Sequence, residues 1–367
     1  MRIRSLRRSS AIALPLALLL AAAPAAGREI TAGAQPGQAR SAGARWLVEH
    51  QNADGGWGAG GHGSRGAVAA SDVATTALSV MALLRDGGAS AGHRSTIEKG
   101  VGFVLDAIEA SPAEGPRLRG PQSTQPQYKL GRNVDTHFAA LLLGELPRTL
   151  SEAVYTRAQV AYDKVLTKVA AAQQLDGGFD KDGWAPVLSS SVAAQSLYKA
   201  HQNGKKVSQE VLERSDDYQR ELVDTRTGRF DASAGAGVDL YAAATSLRGN
   251  SQAANRAPGE QGERAQKAAE ATRKAVRSDA ARLIAGFGSI GGEEMLSYMM
   301  ISDALAEEGG DDWKSWERKI GGHLAATQNA DGSWSGHHCI TSTPFVTAAA
   351  VMTLGSGNGI QQASATR

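Results

Sequence analysis

Near the end of the chain, His337-His338-Cys339 places two imidazoles beside the only thiol in the sequence. Imidazole nitrogen and thiolate sulfur are good zinc ligands. His338 and Cys339, completed by Glu294, therefore make the metal set that the sequence offers, with zinc as the matching ion. Neighbouring residues seldom all bind one ion, so at most two of the three adjacent side chains serve. Glu293-Glu294 adds paired carboxyls, and Asp135-Thr136-His137 adds a carboxyl and an imidazole within one turn. A His–Glu or His–Asp pair can act as a general base with its orienting partner. The acid/base candidates are thus His337, His338, Glu293, Glu294, Asp135 and His137. Capping is the competing role, because Asp, Ser and Thr are preferred at helix starts and acids favour the first turn. Asp72, Ser189 and Asp239 fit it, whereas a cap has no need of His137.

These residues need elements to hold them, and a repeated cassette shows where the elements break. Gln328-Asn329-Ala330-Asp331-Gly332-Ser333-Trp334 has the same offsets as Gln51-Asn52-Ala53-Asp54-Gly55-Gly56-Trp57 and Gln173-Gln174-Leu175-Asp176-Gly177-Gly178-Phe179. Asp-Gly is a turn signal, since Asp bonds its own backbone and Gly accepts positive φ. The Gln is placed to bond orphan carbonyls at a helix end, and the aromatic to pack back on the preceding helix. Gln51, Asp54, Trp57, Gln173, Asp176, Phe179, Gln328, Asp331 and Trp334 are accordingly structural repeat positions.

Around the cassettes the pattern predicts six helix pairs: 41–51 with 72–85, 96–110 with 134–146, 151–174 with 189–203, 208–223 with 238–247, 263–287 with 293–307, and 311–328 with 342–354. Residues 111–132 and 249–261 read as surface loops. The first helix of a pair carries charge on one face, as in Val160-Ala161-Tyr162-Asp163-Lys164; the second is nearly uncharged, as in Phe345-Val346-Thr347-Ala348-Ala349-Ala350. A helix apolar all round must be buried on all sides. Stacked pairs of this kind form a solenoid or a closed two-layer ring. Six periods of roughly 50–60 residues suit an all-α (α/α)6 toroid over 41–354.

Residues 1–26 read as an export signal: Arg2, Arg4, Arg7 and Arg8 precede an apolar run and a small-residue zone. Residues 27–40 read as a flexible N-terminal segment and 355–367 as a disordered tail. Four of the 39 Lys+Arg lie in the signal, which leaves 35 against 37 Asp+Glu. That balance offers no basic field for nucleic acid. No apolar run beyond the signal is long enough for a transmembrane anchor. The expected location is the periplasm or the exterior, where Cys339 has no internal disulfide partner.

The Gln-x-x-Asp-Gly-(Gly/Ser)-(Trp/Phe) cassettes resemble the QW repeats of the squalene cyclase and protein prenyltransferase superfamily. Gly292-Glu293-Glu294-Met295-Leu296-Ser297-Tyr298 and the 332–339 segment are similar to exported bacterial members without assigned chemistry. The resemblance implies α/α toroids with a central cavity. It does not carry the chemistry across. The prenyltransferase zinc site needs Asp-x-Cys at an inner-helix start, where this chain has Glu293-Glu294-Met295; the cyclase acid run Asp-x-Asp-Asp is missing as well. Two classes of function remain. One is a toroid that binds a small apolar or peptide ligand, or an envelope protein, in its cavity or rim. The other is a metal-assisted or acid/base enzyme using the His/Cys/Glu cluster.

Overall fold

Asp72 shows how the helices begin: its carboxylate accepts the Thr75 amide at 2.8 Å and so caps the first apolar helix. Ser342 starts the last one in the same way, with Pro344 in the first turn. The computed structural model describes residues 35–64, 69–88, 92–120, 123–286 and 289–357, all within one unit, Ala34–Arg367. The helices are α1 (Pro36–Glu49), α2 (Val73–Arg85), α3 (Arg94–Glu109), α4 (Gln125–Leu130), α5 (Val134–Glu145), α6 (Glu152–Ala172) and α7 (Pro186–Gln202). They continue with α8 (Gln209–Glu221), α9 (Asp239–Arg256), α10 (Gly259–Ala285), α11 (Gly292–Glu308), α12 (Gly310–Thr327) and α13 (Thr343–Leu354). No strand occurs among the described residues, and the fold class is all-α.

The apolar helices pack on one another in the order α2, α5, α7, α9, α11, α13, and α13 packs on α2 again. Along α2 and α13 nearly every side chain is buried, including Leu78, Met81, Phe345 and Val351. Each such side chain contributes roughly 1.5–3 kcal/mol of burial free energy. Phe138 of α5 meets Phe345 of α13 edge to face, with ring centroids 6.2 Å apart. α7 also touches α11 directly. Side chains therefore occupy the space between these helices.

The cassettes make the same bonds each time. Asp54, Asp176 and Asp331 each accept the amide two residues on, at 3.0, 3.1 and 3.0 Å. The amides of Trp57, Phe179 and Trp334 donate to hydroxyls on the following apolar helix: Thr76, Ser190 and Thr347. The indoles of Trp57 and Trp334 donate back to Leu47 and Leu324, both at 2.9 Å. One expectation needs correcting. The Gln amides do not cap their own helices; each spans to the cassette Gly carbonyl and to a carbonyl in the first turn of another charged helix. Gln51 reaches Thr96 of α3, Gln173 reaches Val211 of α8, and Gln328 reaches Ala39 of α1. The glycine is what permits that approach. Gly55, Gly177 and Gly332 have φ of 87°, 90° and 91°, and a Cβ there would lie 2.8, 2.1 and 3.0 Å from the carbonyl oxygens of Lys99, Arg214 and Ala42.

Several boundaries differ from the sequence reading. The supposedly flexible 27–40 segment is helical from Pro36, because Ala39 is buried and receives Gln328, and Arg40 pairs with Asp86 at 2.9 Å. Residues 1–34, with the export signal, lie outside the described residues. The tail is also held at its start: Ser356 is buried and donates to Asp303 at 2.7 Å, while 358–367 lie outside the described residues. The 249–261 loop is instead helix on both sides of Ala257-Pro258. Its polar residues looked solvated but bond inward: Asn250 donates to Gln219 and Ser246, and Ser251 to Glu308. The 111–132 loop contains α4, started by Thr124 and Pro126.

The Gly177 geometry sets a measurable cost. Gly177→Ala forces a Cβ into the Arg214 carbonyl at positive φ and should lose about 3 kcal/mol or more. Gly204→Ala, at φ 75° in open space, should lose about 1 kcal/mol. Equal losses in urea unfolding would show that the inter-helix approach carries no stability.

Candidate functional site

The N-terminal ends of the apolar helices gather most of the chain's buried acids. The segment ahead of α13 is strapped across the start of α11: His337 N donates to Ile290 O at 2.7 Å and Gly292 N to Ile340 O at 2.9 Å. Gly291 and Gly292 permit this, because a Cβ on either would meet His338 or Ile340 within 3 Å. Cys339 bends the strap with φ of 57°, in the left-handed region. The bend aims the next amide inward, so that Ile340 N donates to Glu293 Oε2 at 3.1 Å.

Glu293 and Glu294 are both fully buried and have different surroundings. Glu294 accepts the Tyr241 hydroxyl at 2.6 Å and the Gly291 amide at 2.9 Å, the latter a capping-box bond. Its Oε2 lies 3.7 Å from His338 Nε2. Glu293 keeps Oε1 without a hydrogen-bond partner, and the Cys339 thiol lies against its carboxyl. Burial, reinforced by the Glu294 carboxylate, pushes Glu293 up to about 7. Burial, then the charge of Glu293, raises the thiol to about 12, so Cys339 stays protonated at neutral pH.

Asp135 and His137 do not form the expected acid–base pair, since residues two apart on a helix point to different sides. Asp135 turns to α2, accepting the Ala74 amide at 3.0 Å and the Gln127 side chain at 2.7 Å. There it satisfies an orphan amide of the neighbouring helix and disfavours the ionisation of buried Asp72. Burial first, then Asp135, carries Asp72 to about 7. His137 turns to α7, where Nδ1 lies 3.0 Å from the Ser189 hydroxyl; that hydroxyl donates to Asp180 Oδ2 at 3.1 Å. Nδ1 is therefore the protonated nitrogen, and Nε2 is left buried with no partner. Burial depresses His137 to about 3. Ser189 is no cap, because α7 begins at Pro186, and Asp239 spends its carboxylate on Arg282 at 3.0 Å.

His337 is exposed, and its ring makes no hydrogen bond among the described residues. Of the zinc set, His338 and Glu294 approach each other while Cys339 faces Glu293; no group of three His, Cys, Asp or Glu converges in ligating geometry among the described residues. Trp46 and Trp316 lie in the core and Trp313 packs against it; the Trp46 indole donates to Asp331 at 3.1 Å and that of Trp316 to Ser302 at 2.8 Å.

Composition and pairing did not reveal the residues nearest the solvent side of this cluster. α4 lies over the ends of α5 and α7, with Gln125 accepting the Thr341 amide at 2.7 Å and donating to Ser64 O at 2.7 Å. The Lys129 carbonyl takes the amides of both Trp184 and Ala185 at 2.8 Å. Tyr128 and Trp184 are 54% and 53% exposed, and the Lys129 ammonium sits 5.3 and 5.6 Å from their ring centroids. The His62 ring lies 4.3 Å from that of Tyr128, tilted by 37°. The Lys129 charge also acts on Glu293 and Cys339, favouring the ionised form of each against burial. The available signal was position alone: Tyr128 and Lys129 in the long 111–132 stretch, and Trp184 in a separate loop, all near helix starts.

Compared with protein-family models and with curated proteins, the chain matches none. No helix among the described residues is long and apolar enough to cross a membrane.

The buried acids give the stability a defined pH dependence. Asp72, Asp180 and Glu293 are each raised to about 7, so the folded state holds protons that the unfolded chain releases. Their contribution is complete below the ordinary carboxylate range and is lost as pH rises from about 4 through about 7. Glu293→Gln, which retains an acceptor for Ile340, should flatten this decline in a series of thermal melts. An unchanged slope would mean that Glu293 ionises as readily folded as unfolded.

Proposed function

We propose that this chain is an exported six-pair α/α toroid that binds an apolar or peptide ligand at its rim. The observation that carries this reading is the pair of half-exposed rings, Tyr128 and Trp184, whose two segments are joined by the backbone bonds from Trp184 and Ala185 to the Lys129 carbonyl. Large aromatics left together in solvent mark recognition surfaces more than packing. The rim is favoured over the interior because the apolar helices fill the space between them with side chains. The toroid reading rests on the order of helix packing and on the repeated cassette bonds; the superfamily reading rests on the cassette sequence.

A neutral apolar probe, N-phenyl-1-naphthylamine, tests the reading through its fluorescence. The double variant Tyr128→Ala/Trp184→Ala should bind it about tenfold more weakly, as for truncated hot-spot aromatics, with an unchanged melting temperature. An apolar concavity of about 730 Å³ lies elsewhere, between α3 and α6 around Val160 and Arg157. Loss of the signal in Val160→Glu, and not in the double variant, would sink the rim reading.

One observation favours the enzymatic alternative. Glu293, held half-protonated near neutral pH, lies beside Glu294, Tyr241 and His338, a set able to exchange protons with a bound carbonyl or hydroxyl. The zinc version of that alternative, with His338, Glu294 and Cys339 as ligands, would need Cys339 to turn from Glu293 toward the other two, and metal content of the purified protein with Cys339→Ser beside it tests it.

A further inference from the structure

Three regions other than the buried acids carry chemistry that the rim reading leaves unused. At the opposite end, Arg85 pairs with Asp303 at 2.6 Å and Arg248 with Glu307 at 2.6 Å, so those arginines serve the acids of neighbouring helices. The Asp180–Ser189–His137 chain is buried throughout. Lys129 is different. It makes no hydrogen bond or ion pair through its ammonium among the described residues, while the nearby Arg132 is paired with Asp182 at 3.2 Å. Two exposed rings flank it, and they hold the cation where solvent reaches it.

We infer that the rim ligand carries a single anionic head group, which docks on Lys129 while its apolar body lies against Tyr128 and Trp184. The inference rests on the rim reading above and adds the ligand's charge. A lysine stem packed between aromatic faces keeps its ammonium in place through cation–π attraction, so little side-chain freedom is lost when an anion arrives. The carboxyl that shares its surroundings, Glu293, is buried behind Cys339 and the strap and bonds Ile340 rather than Lys129. A cationic or neutral ligand would leave the ammonium desolvated and unmatched, which disfavours it.

Two probes of similar body separate charge from apolar contact: 1-anilinonaphthalene-8-sulfonate carries the anion, and N-phenyl-1-naphthylamine lacks it. Lys129→Met should weaken the sulfonate probe about fivefold, the upper range for an exposed charge pair, and leave the neutral probe within about twofold. Lys129→Arg should restore the sulfonate probe, and added salt should weaken that probe selectively. If both probes bind at Tyr128 and Trp184 yet Lys129→Met changes them equally or not at all, the anionic head group is wrong and the rim stands. If neither probe responds to Tyr128→Ala/Trp184→Ala, the rim reading falls and this inference falls with it.

Discussion

A side-chain amide reaching between helices is the interaction on which this structure depends. Gln51, Gln173 and Gln328 each tie their own turn to the first turn of a different charged helix. A single such bond contributes only about 1 kcal/mol net. Its importance is geometric, because it coexists with an Asp-bridged turn, a glycine pressed against a carbonyl and an aromatic bonded to the next apolar helix. Four constraints on seven residues fix the angle and spacing between three helices at once. The third cassette has a further consequence: Gln328 sends its bond to Ala39, so the last charged helix, α12, meets the first, α1, just as α1 meets α3.

Once the apolar helices are set in that order, their amino-terminal ends meet, and unsatisfied amides must find acceptors there. The acids answer that need across helices rather than within them. Asp135 serves α2, Glu293 serves the strap before α13, and Tyr241 of α9 bonds Glu294 of α11. The amino-terminal ends of helices favour negative charge, whereas burial disfavours it. At Asp72, Asp180 and Glu293 burial prevails and raises each carboxyl to about 7 within a polar layer. Cys339 lies in the same layer, and its protonated thiol is a poor ligand and a poor nucleophile as it stands.

The rim follows from that layer. A strap over α11 and the short helix α4 cover the buried acids, and covering them leaves Tyr128, Lys129 and Trp184 facing outward. Gln125 joins the two covers through Thr341. The exposed aromatic and cationic groups are thus held by backbone bonds from Lys129 to Trp184 and Ala185 instead of hanging from a free loop.

The sequence by itself determined the helices, the cassette turns and the separation into charged and apolar members, because periodicity and Asp-Gly chemistry are local. It also located Glu293 and Glu294 at the start of one apolar helix and His338 ahead of the next. Tertiary structure decided the partners. Asp135 and His137 sit two residues apart and part company, since a helix turns them toward different neighbours. The Gly249-to-Gln261 stretch reads as a loop and folds as helix, because Asn250 and Ser251 find acceptors on other helices. Lys129 has no local mark at all. Its role depends on Trp184 arriving from fifty-five residues away, and a contact of that range lies beyond any pattern that period or spacing can express.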